Sequence, residues 1–253
     1  MDIYFELLKY PVFSANSLSD YYASVRTARQ ALARLVKAGR VARIRNDLYT
    51  CINGETLAPM ADKYQIASAI TETSYISHHT AMEYHGITNQ VYYDVYVTSA
   101  TKFQSFSFEG YNYCYVPAKF FAGVIEPAFS GGIRVTDMER TVIDCLKDFE
   151  KIGGMEELLD NLSGIQALNE EKLLKYLSLY QNKFLYQKVG CILERFNEKL
   201  RLSSHFFHTC KEQIGNSKRY LTKENCEFKY DKIWRLMVPA YNKKGDEGID
   251  ATL

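Results

Sequence analysis

Helical and strand-like rhythms of apolar residues alternate along the chain and predict a mixed architecture. In residues 2–9, Ile3, Leu7 and Leu8 share one face of a first helix that stops before Pro11. Ser14, Asn16 and Ser17 can each cap a short second helix beginning near Ser17. The third, SVRTARQALARLVKAG, is clearest. At about 100° per residue, Val25, Ala28, Leu32, Leu35 and Val36 fall within an arc of ~100° and form a core face, and Gly39 ends the helix. VARIRNDLYTCI then reads as two short strands around a turn at Asn46 and Asp47.

Beyond a connector at residues 54–63, marked by Gly54 and Pro59, the pattern mixes both rhythms. KYQIASAI and HHTAMEYHGI are helical, the latter terminated by Gly86. DVYVTSA, SFSFEGYNYCYVP and GIRVTDM alternate like strands, with a turn at Glu109 and Gly110. ERTVIDCLKDF reads as a helix opened by a capping box, Thr136 with Glu139 at its third position. Helical stripes then dominate: MEELLDNL, NEEKLLKYLSLY capped by Asn169, and LYQKVGCILERFNEKL interrupted by Gly190. The segment SKRYLTKENCEFKYDKIWRLMVPAY is extended, and a polar tail surrounds residues 243–248. No internal repeat is present.

Charge divides this pattern. The 253 residues carry a net charge of only +1, yet residues 24–46 hold Arg26, Arg29, Arg34, Lys37, Arg40, Arg43 and Arg45 without one acid. A single-sign surface repels itself unless an anion lies against it. Residues 1–53 carry +4 and the remainder −3, so only the N-terminal fifth is suited to a polyanion. A helix followed by a basic hairpin is the reading end of a winged helix-turn-helix, and double-stranded DNA is the expected partner. Opposite the core stripe lie Arg26, Gln30, Ala33, Arg34 and Lys37, with Thr27 and Arg29 flanking. Arginine and glutamine suit bidentate contacts with guanine and adenine edges. Arg40, Arg43, Arg45 and Asn46 belong to the hairpin, where phosphate or minor-groove contact is the usual use. One such domain covers few base pairs, so a dimer on an inverted-repeat operator is expected.

Composition narrows the rest. At 47% hydrophobic and 24% charged the chain is globular, and its 20 tyrosines fit half-buried sheet positions. Six cysteines form no CxxC pair and sit among apolar neighbours, as buried thiols of a reducing cytoplasm do. No secretory leader and no apolar run approaching ~20 residues is evident, so a cytoplasmic protein without membrane association is expected. His78, His79 and His85, and the pair His205 and His208, lack a carboxylate or cysteine at ligand spacing. A helix end using His78 or His79 to hydrogen-bond backbone is expected instead, and no metal site is expected. Asp137, Glu139 and Asp144 lie where capping and the helix dipole favour acids. With no phosphate loop, nucleophile elbow or dinucleotide fingerprint, neither catalytic residues nor a cofactor is expected.

Several segments together resemble one family. The basic N-terminal region, YISHHTAMEYHGIT, VYVTSATK, RVTDMERTVIDCL with GGMEELLDNL, and RYLTKENCEFKYDKIWRLMVPAY are similar to AbiEi-type proteins over about residues 3–241. Residues 75–86 and 135–145 are the most specific pieces, and neither is a catalytic signature. Such proteins are the antitoxin and autorepressor halves of type IV toxin–antitoxin operons, active in phage abortive infection. The resemblance implies a winged helix-turn-helix over residues 1–53 that represses its own promoter. Residues 54–253 would then form an antitoxin domain: mixed α/β over about 64–150, helical over about 153–213, terminal strands over about 217–241. That domain would counteract a nucleotidyltransferase toxin without a stable complex. Where such proteins often carry Gly at the wing tip, this chain has Asn46 and Asp47, which also tolerate positive φ, and Asp47 sets an acid near the phosphates. Two rivals stand beside it: a one-component regulator with a small-molecule effector site, and a metal-dependent nuclease using Asp137 and Asp144.

Overall fold

The first hydrophobic core gathers around a β-hairpin. Helix α1 (Ile3–Leu7) contributes Leu7, a single 3-10 turn (Asn16–Leu18) contributes Leu18, and helix α2 (Val25–Lys37) contributes Ala28 and Leu32. These close on Val41, Tyr49 and Cys51 of strands β1 (Val41–Arg45) and β2 (Leu48–Cys51), which pair antiparallel. In this computed structural model residues 3–18, 20–88, 90–223 and 226–240 are described, so the polar tail expected around residues 243–248 lies outside them.

Among the described residues the second helix expected from Ser17 is replaced by the 3-10 turn Asn16–Leu18, with turns and bends over residues 20–24. Ser14 and Ser17 make reciprocal bonds of the capping-box kind, each backbone N–H donating to the other's hydroxyl, at 3.1 and 3.2 Å, and these open the 3-10 turn.

Side chains of a strand alternate, and here each face of the hairpin meets a different core. Ile44 and Leu48 point into a second core built on a six-stranded mixed sheet. Helix α3 (Lys63–Ala69) leads into β3 (Tyr75–Ile76), and α4 (His78–Tyr84) into β4 (Asp94–Ser99). Then come β5 (Phe106–Phe108), β6 (Tyr111–Pro117), β7 (Val124–Ile125), β8 (Val135–Thr136) and α5 (Met138–Lys147). The sheet order is β5-β6-β4-β3-β8-β7, with β4 parallel to β6 and β3 parallel to β8. Ile66, Ile76, Val95, Val97, Tyr113 and Val135 fill its core. Arg134 closes the C-terminal end of α3, donating to the carbonyls of Ser68, Thr71 and Glu72.

The chain divides into two compact units, Met1–Asp144 and Cys145–Leu253, and is α+β in class. In the second unit a 3-10 turn (Phe149–Ile152) precedes α6 (Met155–Ser163), α7 (Glu170–Tyr180), α8 (Lys183–Glu194), α9 (Asn197–Leu200) and α10 (Ser204–Gln213). Strands β9 (Arg219–Tyr220), β10 (Phe228–Asp231) and β11 (Leu236–Pro239) form a small sheet in the order β10-β11-β9. Among the described residues no helix is long and apolar enough to cross a membrane.

Two local expectations fail for instructive reasons. The cap of α5 is Asp137, whose Oδ1 accepts from Arg140 N at 2.9 Å; Thr136 instead shares a hydroxyl bond with Thr141 at 2.7 Å. Gly190 does not interrupt its helix, for the break comes after Glu194. Gln187, Gly190 and Glu194 make one stripe on α8 that holds Trp234. Gln187 donates to the Trp234 carbonyl at 3.2 Å, and the indole N–H donates to Glu194 at 2.6 Å. A Cβ on Gly190 would stand 2.1 Å from the indole carbon Cζ3. Helix propensity alone favours Ala over Gly by about 1 kcal/mol, so the sign of the change is diagnostic. Gly190→Ala is expected to destabilise the protein by about 1–3 kcal/mol in urea unfolding. A stabilised variant would contradict this packing.

Candidate nucleic-acid interface

Helix α2 is fixed at both ends by its own sequence. Ser24 is extended (φ −159°, ψ 154°), and its hydroxyl accepts from Thr27 N at 3.2 Å and meets the Thr27 hydroxyl at 2.9 Å. At the other end Gly39, with φ 71°, donates to Val36 O, and Arg40 N donates to Leu35 O, both at 3.0 Å. Ala28 and Leu32 are fully buried, with Val25, Ala31 and Leu35 partly so. Val36, expected in this stripe, is 36% exposed. The buried arc is rotated towards Ala31, which lies beside Ile3 of α1 and Tyr22.

The rotation leaves Arg26, Gln30, Ala33, Arg34 and Lys37 on the exposed face, as the periodicity predicts. Thr27, Gln30 and Arg34 line a groove of about 280 Å³ with Ile3, which the periodicity set on the core face of the first helix, and Tyr22, which the sequence did not single out. Small Ala31 and Ala33 keep this surface low. Side chains ending in guanidinium and carboxamide groups on such a face can meet a polyanion's oxygens and base edges.

The hairpin cations are placed differently from one another. Arg40 lies over the Tyr4 ring with 5.5 Å to its centre. Arg43 is exposed and braces the turn, donating to Arg45 O at 3.3 Å and to Asn46 Oδ1 at 3.1 Å. Arg45 leaves the group: its guanidinium lies 5.7 Å from the Phe103 ring centre and 5.2 Å from that of Phe106, with Nη1 buried. Asp47, at φ 55°, accepts from Ala15 N at 3.3 Å and faces Arg29 Nε at 3.5 Å. The acid that was expected to sit near phosphates thus ties the turn to α2 and to the preceding loop.

The other candidate clusters make contacts within the fold. Arg140 and Asp144 are a buried ion pair at 2.8 Å, one turn apart on α5, and Arg140 also donates to Ala122 O at 2.9 Å. Its guanidinium stacks 3.8 Å over the Phe120 ring. Asp137 is the helix cap and Asp144 the arginine's partner. Of the histidines, His85 reaches backbone, its Nε2 lying 2.8 Å from Thr136 O, while His78 Nδ1 meets the Ser77 hydroxyl at 2.8 Å. His79 is buried edge-on against the Tyr92 and Tyr96 rings, and neither ring nitrogen has a hydrogen-bond partner. Among the described residues no three His, Cys, Asp or Glu side chains are grouped to hold a metal ion.

No protein-family model matches the chain, and no curated protein matches it in sequence. Its fold is similar to the crystal structure of the RV2827C protein from Mycobacterium tuberculosis, with a TM-score of 0.66 at 13% identity. The likeness covers 93% of this chain and 89% of that one, and at this identity it is a likeness of fold.

Two measurements test these placements. Asp47→Ala loses both the hydrogen bond to Ala15 and tolerance of positive φ, so it should cost about 1–2 kcal/mol, whereas Asp47→Asn should stay within about 0.5 kcal/mol of the parent. Burial pushes the His79 imidazole down to about 4, with His78 and Lys63 adding to the drop and Asp94 opposing it. The unfolded chain titrates it near 6.5, so between pH 6.5 and 4 only the unfolded chain binds the proton. This contribution is complete above pH 6.5 and is lost as pH falls towards 4, by up to about 3 kcal/mol. Urea unfolding from pH 7 to 4.5 should show that loss, and His79→Gln should flatten it.

Proposed function

We propose that this chain is a sequence-specific DNA-binding repressor of its own operon and the antitoxin of a type IV toxin–antitoxin pair, counteracting a nucleotidyltransferase toxin. The observation that carries the DNA reading is the exposed face of α2, where Arg26, Gln30, Arg34 and Lys37 stand together with no acid on the helix. In this reading α1, the Asn16–Leu18 turn and α2 act as a helix-turn-helix, α2 enters the major groove and β1–β2 is the wing. Arg43 and Arg40, beside the reading helix, meet phosphates, and Asp47 is kept from repelling them by its contact with Arg29. Arg45 contributes through the position of the hairpin and not through contact with DNA.

The antitoxin half rests on the AbiEi-like segments at residues 75–86 and 135–145. Their ordered roles, a sheet strand leading into α4 and a capped α5 with a buried ion pair, fit a structural motif and require no catalytic step. The protein works in the cytoplasm, beside the promoter and the toxin's target. Two copies bind an inverted-repeat operator, and protection requires no stable complex with the toxin.

Binding to the chain's own promoter at fixed salt is the test. Gln30→Ala should cost about 1–3 kcal/mol and relax base preference at one position. Arg43→Ala should weaken binding to all sequences and reduce the slope of affinity against salt by about one. An Arg26/Gln30/Arg34 triple alanine variant that still binds the promoter at wild-type affinity would end the assignment of α2 as the reader. That triple variant should still rescue cells from the cognate toxin, expressed from an independent promoter; loss of rescue would reduce the antitoxin role to repression.

A further inference from the structure

An ammonium group taken out of water needs compensation by a carboxylate, by hydrogen bonds or by aromatic faces. Lys188, on α8, has little of it. Its Nζ lies 4.2 Å from the Phe149 ring centre and 5.0 Å from that of Phe184, and it donates to Lys147 O at 3.3 Å. No carboxylate pairs with it among the described residues. Asp148, close by, is already shared by Lys147 at 2.7 Å and Lys151 at 3.3 Å.

This group faces a cavity of about 460 Å³ within the second unit, lined also by Lys147, Lys223 and Tyr220. Gly154 stands on the same wall and opens helix α6 with φ 102° and no side-chain cap, so the start of a nine-residue helix lies at the rim. Three lysines and an uncapped helix start line this concavity together with Asp148 and Glu150, leaving an excess of one positive charge in the lining. The volume is far more than one inorganic anion fills and falls in the range of small-molecule sites. Tyr220, 55% exposed, and Phe184 offer flat apolar surface beside the cations.

We propose that this cavity binds a small phosphate-bearing ligand with a flat ring, of nucleotide size. The phosphate meets Lys188 and Lys223 near the start of α6, and the ring lies on Tyr220. The ligand supplies the counter-charge that Lys188 lacks. Burial pushes the Lys188 ammonium down to about 8; Asp148 and Glu150 oppose the drop, and Lys147 and Lys223 add to it. Ligand binding therefore takes up a proton above that pH and weakens as Lys188 is neutralised. The site is independent of the DNA-binding reading, since none of its residues lies on α1, α2 or the hairpin.

Calorimetric titration of the full-length protein with AMP, inorganic phosphate and adenosine tests it. AMP should bind saturably at pH 7, more than tenfold tighter than adenosine, because a charge-assisted contact to phosphate is at stake. Lys188→Met keeps the stem over Phe149 and removes the charge; it should lower AMP affinity about tenfold or more while circular dichroism and the melting profile stay native. Lys223→Ala, at an exposed position, should lower it by a smaller factor. Affinity of the parent should fall between pH 7 and 9, and that of Lys188→Met should not. Absence of saturable AMP binding, equal affinity for AMP and adenosine, or parent-like AMP affinity in Lys188→Met would each overturn the proposal.

Discussion

The β1–β2 hairpin is buried on both faces, and this constraint governs what the basic N-terminal region can display. Val41, Tyr49 and Cys51 belong to the core under α1 and α2, while Ile44 and Leu48 belong to the core of the six-stranded sheet. All four residues of β2 are buried. A strand enclosed in this way cannot expose a row of cations along its length, so the hairpin's arginines are confined to its ends and edges. Arg43 stays exposed at the turn, and Arg45 is drawn over the aromatic rings of Phe103 and Phe106. What remains freely displayed is the outer face of α2. The hairpin holds that helix in register with a much larger sheet, and a change in either core is felt by the other.

Positive charge is handled in three physically distinct ways. Arg140 is buried with a carboxylate, a carbonyl and an aromatic ring all satisfied by its planar fork. Arg45 is half-buried on aromatic rings, where a weakly hydrated guanidinium loses less than an ammonium would. Lys188 is a compact ammonium met by one carbonyl and two rings, with Asp148 and Glu150 acting on it from farther off. The first is a fastening within one turn of helix, since removing either partner leaves a charge stranded in the core. The last is the least compensated, and for that reason the most informative about what else the molecule holds.

Much of the local structure could be read from residue order because its causes lie within a few residues. Ser24 and Asn169 cap the helices that follow them, Gly39 and Gly86 end theirs with positive φ, and Asn46–Asp47 and Glu109–Gly110 turn their hairpins. The misreadings have distant causes. Gly190 looked like an interruption because its partner, Trp234, lies 44 positions later. Arg45 looked like a surface cation because Phe103 and Phe106 lie more than 50 positions away. Val36 was assigned to the core because a helical wheel fixes angles but not where the partner elements sit. The basic face of α2 was legible, while the groove formed by Ile3 and Tyr22 and the role of Asp47 were not, since both depend on tertiary neighbours.

The six cysteines form no disulfide, and they differ sharply in access. Cys51, Cys145, Cys191 and Cys210 are buried, Cys114 is half-buried and Cys226 is exposed, although apolar neighbours suggested burial for all. Burial pushes the Cys51 thiol up to about 11 and those of Cys191 and Cys210 up to about 12. Thiolates are the nucleophilic form, so these three are silent towards alkylating reagents at neutral pH while the fold is closed. Cys51 belongs to the first unit, and Cys191 and Cys210 to the second. The chain therefore carries built-in clocks of opening: after Cys226 is labelled, the order in which Cys51, Cys191 and Cys210 become reactive dates the loosening of each unit separately.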